Sequence, residues 1–257
     1  MSWQAYDHYL YALIALIGTL GGALLLLWVL RAKRWAAHTR SFSGLVPPFI
    51  NILGVLFGLT LAFLANDTWS ARDRAIAAVS READAIESIA ILADHLPASY
   101  GITIKDAERA YVRAMIEEWP LLAARSTSAA AAGSGDHLLS LLSDPVVVAQ
   151  AGTVISGQQI TMAMVLRDSR STRIALSQTH VNPLKWAGMA ILGFLTMVST
   201  AFAHLDRPRA MILAVGIFGL AAAPMAVIVL IHGNPFQAPA AVSAAPLHEA
   251  LWRLQQN

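Results

Sequence analysis

The sequence predicts an all-α integral membrane protein with four transmembrane helices, a helical domain inserted between the second and third, and long helices continuing out of the bilayer. Three observations carry that reading. The 257 residues are 56% hydrophobic and only 13% charged, whereas soluble domains carry about 25% charged residues. The charge deficit is concentrated in four apolar segments of membrane length. Finally, VPPFINILGVLFGLTLAFLAN (Val46 to Asn66) passes without proline or glycine into the charged, amphipathic DTWSARDRAIAAVSREADAIESIAILADHL, so one helix leaves the bilayer and carries on into water. No strand pattern of any length interrupts the helical periodicity.

In order, residues 1–66 hold the first two spans and a short basic loop. Trp3, Tyr6, Tyr9 and Tyr11 sit where interfacial aromatic rings anchor a span. The first span runs from about Tyr9 to Leu30 and is too long for the core of a signal peptide, so it reads as a retained anchor. Its Gly18, Gly21 and Gly22 allow another helix to approach closely. Arg31, Lys33, Arg34 and Arg40 follow. The second span, about Val46 to Ala65, carries Gly54, Gly58 and Ala62 as a small-xxx-small stripe.

Residues 67–181 form the extramembrane helical domain. Ile76, Val79, Ala83, Ile86, Ile89 or Ala90, and Ala93 recur at helical spacing. Pro97 and Gly101 make a turn. A second helix, about 104–124, is capped by Thr103 and pairs antiparallel with the first. STSAAAAGSG (126–135) reads as a surface linker, followed by a short helix at 136–143 and a longer one from Val146. Residues 182–232 hold spans three (about Leu184 to His204) and four (about Ala210 to His232), the latter kinked at Pro224. Residues 233–257 are a proline- and alanine-rich tail with a short amphipathic end.

Composition and motifs exclude several classes. A net charge of +2 gives no case for nucleic acid, and with no cysteine there is no disulfide, thiolate metal site or cysteine nucleophile. HExxH, GxSxG, Walker and GxGxxG signatures are absent, so the chain reads as a non-enzyme with no cofactor, metal or catalytic residue. His38, His204 and His232 lie near span ends as interfacial residues. The cores of spans one, two and four hold no ionisable group, and Lys185 at the edge of span three can snorkel. This fits a passive pore better than a proton-coupled machine.

Two sets of residues are candidates for function. Span two could line an oligomeric pore, with Asn51 and Thr60 as polar groups, Leu53, Phe57 and Leu64 as constrictions, and Asn66 with Asp67 as a cation-biased ring at the mouth. Arg72 and Arg74 on one flank of the inserted domain and Arg167, Arg170 and Arg173 on the other could form a basic belt beside the membrane.

Several segments resemble the bestrophin-like family of bacterial membrane proteins: GVLFGLTLAF (Gly54 to Phe63), EADAI (Glu82 to Ile86), Tyr111 with EEW (Glu117 to Trp119), and NPF (Asn234 to Phe236) with Val242 and Pro246 downstream. The resemblance covers most of the chain and extends to bestrophins, which are pentameric ion channels with a pore lined by the second span. It implies a homo-oligomer in a bacterial inner membrane whose partners are its own copies, the lipid bilayer and small inorganic ions. The acidic calcium cluster and aromatic-rich neck of the animal channels have no counterpart here. Bestrophins place their domain in the cytoplasm, while the Lys/Arg count of the short loops favours the opposite side. The expected function is an ion channel. The alternative is a non-conducting scaffold or sensor whose helical domain binds a protein partner.

Overall fold

The computed structural model describes residues 7–32, 47–179, 182–239 and 241–256. Among these the chain is all-helical: α1 (Asp7–Arg31), α2 (Pro47–Ala93), α3 (Ala98–Ala123), α4 (Ala129–Leu142), α5 (Pro145–Ser177), α6 (Pro183–Ala203), α7 (Pro208–Ile231) and α8 (Ala245–Gln256). The basic loop at 33–46 lies outside the described residues. α1, α2, α6 and α7 are long and apolar enough to cross a membrane. α2 has 47 residues, about 70 Å at 1.5 Å per residue.

The chain divides into two compact units, Ser70–Thr179 with Asn234–Asn257, and Ser2–Trp69 with His180–Gly233. The second unit is apolar. A Cβ on Gly219 of α7 would lie 3.9 Å from Leu20 and 4.0 Å from Ala23 of α1, and one on Gly22 would lie 3.5 Å from Met197 of α6. Small residues thus let these helices approach closely, the arrangement expected where lipid supplies no hydrophobic drive to association. Ala23, Met197, Ala201, Met211 and Val215 form one buried cluster. Leu64, Ala65, Met189, Ala226 and Val229 form another, with Phe57, Leu61 and Trp186 against it.

The first unit is a helical bundle. Ala75, Val79, Ile86, Ile89 and Ala93 of α2 pack with Ile104, Tyr111, Val112 and Met115 of α3. The turn between these helices is tight: a Cβ on Gly101 would come within 2.7 Å of the Ala93 carbonyl oxygen. α3 begins at Ala98, earlier than the sequence suggests, because Pro97 occupies the cap position and the Thr103 hydroxyl donates to the Ser99 carbonyl at 2.8 Å instead of capping.

The stretch expected as a linker is mostly helix. Ser128 caps α4 by accepting from the Ala131 amide at 3.2 Å. The alanine run then forms the first turns, alanine being the best helix former. Asp144 caps α5 through the Val146 amide at 2.8 Å, and Gly152 breaks that helix with φ 74°, a conformation open mainly to glycine. All but the first residue of the segment 233–257, set apart as a tail in the sequence reading, belongs to this unit. The Asn234 side chain accepts from the Phe236 amide at 2.9 Å and donates to the Leu122 carbonyl at 3.3 Å, and Leu247, Ala250 and Leu254 of α8 are buried.

Two glycines of this unit separate close approach from simple tolerance. Gly101→Ala lowers the melting temperature of the purified protein, because backbone at 2.7 Å cannot yield. Gly133→Ala raises it, by about 0.5–1 kcal/mol of helix propensity, since no atom lies within 4 Å of the new methyl group.

Candidate functional site

Each residue of an α-helix turns about 100° around the axis, so the membrane-length part of α2 has two opposed faces. Phe57, Leu61 and Leu64 share one. The Phe57 ring lies against Gly193, where a Cβ would come within 3.0 Å of it, and 5.5 Å from the Phe218 ring. Leu64 is buried among Met189, Ala226 and Val229. The opposite face carries Asn51, Val55, Leu59, Ala62 and Asn66, all exposed. Val55 is 61% exposed and Leu59 50%, against 8% for Leu64.

The expected pore residues therefore do not form one stripe. Asn51 and Asn66 lie on the exposed face, whereas Phe57 and Leu64 lie on the packed one. Leu53 and Thr60 are partly buried at its flank, and the Thr60 hydroxyl is already spent on the Leu56 carbonyl at 2.8 Å. Asp67 is ion-paired to Lys185 of α6 at 2.9 Å, with both side chains more than half exposed. In the helical unit's part of α2, Asp73 and Asp84 are exposed, on the side away from the buried Val79, Glu82 and Ile86.

The basic belt needs a correction. Arg173 is fully buried, its Nε 2.9 Å from the equally buried Glu82 Oε2. Its Nη2 donates to Glu82 Oε1 at 3.2 Å, and its guanidinium stands 5.1 Å from the centre of the Trp119 ring. The Tyr111 hydroxyl donates to the same Glu82 Oε1 at 2.9 Å. Arg170 forks onto Glu118, with Nη2 to Oε1 at 2.6 Å and Nε to Oε2 at 3.1 Å, and its Nη2 also reaches the Ser128 carbonyl at 3.2 Å. The other oxygen-bound donor at Glu118 is the Ser128 amide at 2.8 Å. Arg173 is thus shut inside the bundle, and Arg170, its side chain 16% exposed, is engaged by Glu118 and Ser128. Arg74 donates to the Ser70 carbonyl of its own helix at 3.2 Å, Arg72 is partly buried, and exposed Arg167 stands 4.0 Å from Asp136.

Three of the four segments that carry the family resemblance, EADAI, Tyr111 with EEW, and NPF with Val242, converge on this network. Glu82 comes from EADAI, Glu118 and Trp119 from EEW. The Trp119 indole donates to the Val242 carbonyl at 3.0 Å and meets the Phe236 ring of NPF edge-on at 5.4 Å. Burial pushes the Glu82 carboxyl above its ordinary value, against the opposing pull of Arg173 and the Tyr111 hydrogen bond. Burial, reinforced by the Glu82 charge, also drives the Tyr111 hydroxyl up. For Arg170, burial acts downward but the Glu118 hydrogen bond and charge outweigh it, so the guanidinium stays charged.

Sequence reasoning missed Glu108. It is completely buried on α3 with neither carboxylate oxygen hydrogen-bonded among the described residues, and burial raises its pKa well above 4.5 despite Lys105 and Arg109 nearby. Its signal was its place in the sequence: Ile104, Glu108 and Val112 fall at successive four-residue steps on a buried face. His204 and His232 are occupied with carbonyls of their own helices, at 2.9 Å to Thr200 and 2.6 Å to Ile228. His38 lies outside the described residues.

Two predictions follow from these buried charges. Arg173→Ala strands the Glu82 carboxylate and costs about 3–5 kcal/mol, while Glu82→Leu combined with Arg173→Met recovers most of it; thermal unfolding followed by size-exclusion chromatography reads both. A carboxyl whose folded pKa is raised stabilises the fold below its unfolded pKa and loses that contribution as pH rises towards the folded value. Glu108→Gln therefore matches the parent at pH 4 and exceeds it increasingly above pH 5, with a slope of at most about 1.4 kcal/mol per pH unit.

Comparison with known proteins follows the same lines. The Bestrophin-like domain model matches residues 17–247. No curated protein sequence matches significantly. A crystal structure of a bacterial bestrophin homologue from Klebsiella pneumoniae superposes with a TM-score of 0.64 at 12% identity, over 95% of this chain and 97% of that one. A point variant of a Klebsiella pneumoniae bestrophin homologue gives 0.65 at 13%, over 95% and 98%. A variant described as a membrane protein gives 0.64 at 14%, over 95% and 97%. These likenesses establish a shared fold, and the model match over most of the sequence establishes the family: the chain belongs to the bestrophin-like proteins.

Proposed function

We propose that the chain is one subunit of a homo-oligomeric ion channel in a bacterial inner membrane, with α1, α2, α6 and α7 as its four spans and residues 67–181 as a helical domain inserted between the second and third. The observation that carries the reading is the exposed face of α2. Asn51, Val55, Leu59, Ala62 and Asn66 are all exposed, yet two of them are amides in an apolar stretch of membrane length. A polar side chain facing lipid is expensive, while one facing a water path is not. Membership of the bestrophin-like family supports the same reading, since bestrophins conduct ions through a pore lined by their second span. By that likeness the oligomer is a pentamer.

In this arrangement Val55 and Leu59 narrow the path, and hydrophobic constrictions gate by dewetting. Asn51 and Asn66 supply rings of amide oxygens. Phe57 and Leu64 hold α2 against α6 and α7 and do not face the ions. Asp67, paired with Lys185, contributes little net charge. The chemistry is passage of small inorganic ions, with no catalytic step and no cofactor.

Ion flux into liposomes containing the purified full-length chain tests this. Leu59→Ala raises the flux several-fold and Asn66→Ala changes the ratio of cation to anion permeability, while Phe57→Leu leaves permeation unchanged in whatever protein folds. Silent liposomes, with the protein oligomeric and folded, favour the scaffold or sensor that binds a protein partner through its helical domain.

A further inference from the structure

The apolar unit contains a cleft of about 440 Å³ walled by α1, α6 and α7, with Phe57 of α2 at its side. Tyr11, Pro183, Trp186 and Leu230 line one end, and Thr19, Met197 and Phe218 the other. No lining residue is charged. Gly18 opens directly into it, with no atom within 4 Å of where its Cβ would be. α1 runs antiparallel to α7, as His8 beside Gly233 and Ala23 beside Gly219 require, so the two ends lie at different depths. Counting residues along each wall at 1.5 Å apiece gives a length of about 12–20 Å. One leaflet of hydrocarbon, half of a core of ~30 Å, is about 15 Å deep.

We propose that this cleft is a lipid-binding site that holds one acyl chain of a membrane phospholipid, running from the rim formed by Tyr11 and Trp186 to the middle of the bilayer. Depth and lining point to the occupant. The cleft is about as deep as one leaflet of hydrocarbon, and its walls carry no charge along that depth, which suits one alkyl chain entering from the rim. Charge agrees. An uncharged apolar wall stays dry and offers a neutral chain nothing to desolvate. At the rim, Tyr11 and Trp186 supply aromatic rings of the interfacial kind. The bound chain completes the packing of three helices that otherwise leave a gap, and it does so whether or not the protein conducts ions.

Native mass spectrometry of the full-length protein in mild detergent, incubated with dioleoyl-phosphatidylethanolamine, reads occupancy directly. The unmodified protein retains one phospholipid per chain. Gly18→Phe, which fills the cleft from open space, retains at least tenfold less while its melting temperature holds. Ala190→Phe fills it from α6 and serves should the first variant fold poorly. Leu24→Phe, on an outward face of α1 that is 69% exposed, retains lipid as before, and glycerophosphoethanolamine, the headgroup without chains, does not bind. Equal retention by the filled and unfilled proteins overturns the proposal, as does an unmodified protein that carries only detergent in the cleft or no adduct at all.

Discussion

The helical unit depends on one buried ion pair, Glu82 with Arg173. Neither side chain is exposed to solvent at all. Removing two charges from water costs several kcal/mol per ion, which attraction offsets only where geometry is good and the remaining donors and acceptors are met. Here the Tyr111 hydroxyl serves Glu82 Oε1 and the Met115 sulfur, at 3.6 Å, serves Arg173 Nη2, while Arg173 Nε and Glu82 Oε2 meet as an ion pair at 2.9 Å and Nη1 has no hydrogen-bond acceptor among the described residues. Three helices and the C-terminal segment thereby fix one another's register. Moving α2 by one residue would turn Glu82 about 100° away from its partners and leave Arg173 alone in an apolar core. The pair does more for uniqueness of packing than for net stability, because an apolar substitute of similar volume would stabilise the bundle about as well.

Much of this was legible in the sequence, and the failures have physical causes. The long α2, the apolar helices and the amphipathic end at α8 follow from hydropathy and periodicity. The buried face of α2 does not, because periodicity arguments discard charged residues. Ala83 takes the place in the pattern that Glu82 occupies in the structure, although Val79, Glu82, Ile86 and Ile89 are the residues in phase. A lone charge in an apolar phase is itself the signal, and Glu108 repeats it. Arg170 and Arg173 read as surface charge for the same reason: sequence shows a cation but not its partner, 52 residues away for Arg170 and 91 for Arg173. The alanine run of α4 was discounted for its glycines, one of which sits where Tyr111 leaves little room, since a Cβ on Gly135 would come within 3.1 Å of the ring.

The faces of span two were illegible for a different reason. In water, an inward face is apolar and an outward one polar. In hydrocarbon both are apolar, and helices associate through close packing and small residues. Phe57 and Leu64 on the packed side and Val55 and Leu59 on the open side are therefore interchangeable to any hydropathy argument. Only the coordinates, which put Gly193 beneath the Phe57 ring, separate them. Of the polar groups of this stretch, Asn51 and Asn66 fall on the exposed side.

The order in which the bundle can be finished is set by its composition from two stretches of chain. Ser70–Thr179 leaves the ribosome first, but Trp119 lacks its carbonyl acceptor on Val242, and its edge-on neighbour Phe236, until the two apolar helices α6 and α7 have been made. During synthesis the nascent bundle waits with an open seam along α3, shielded only by its own side chains. The last two dozen residues then close it. A chain whose translation stops after α7 holds every residue of Ser70–Thr179 and still has an unfinished core.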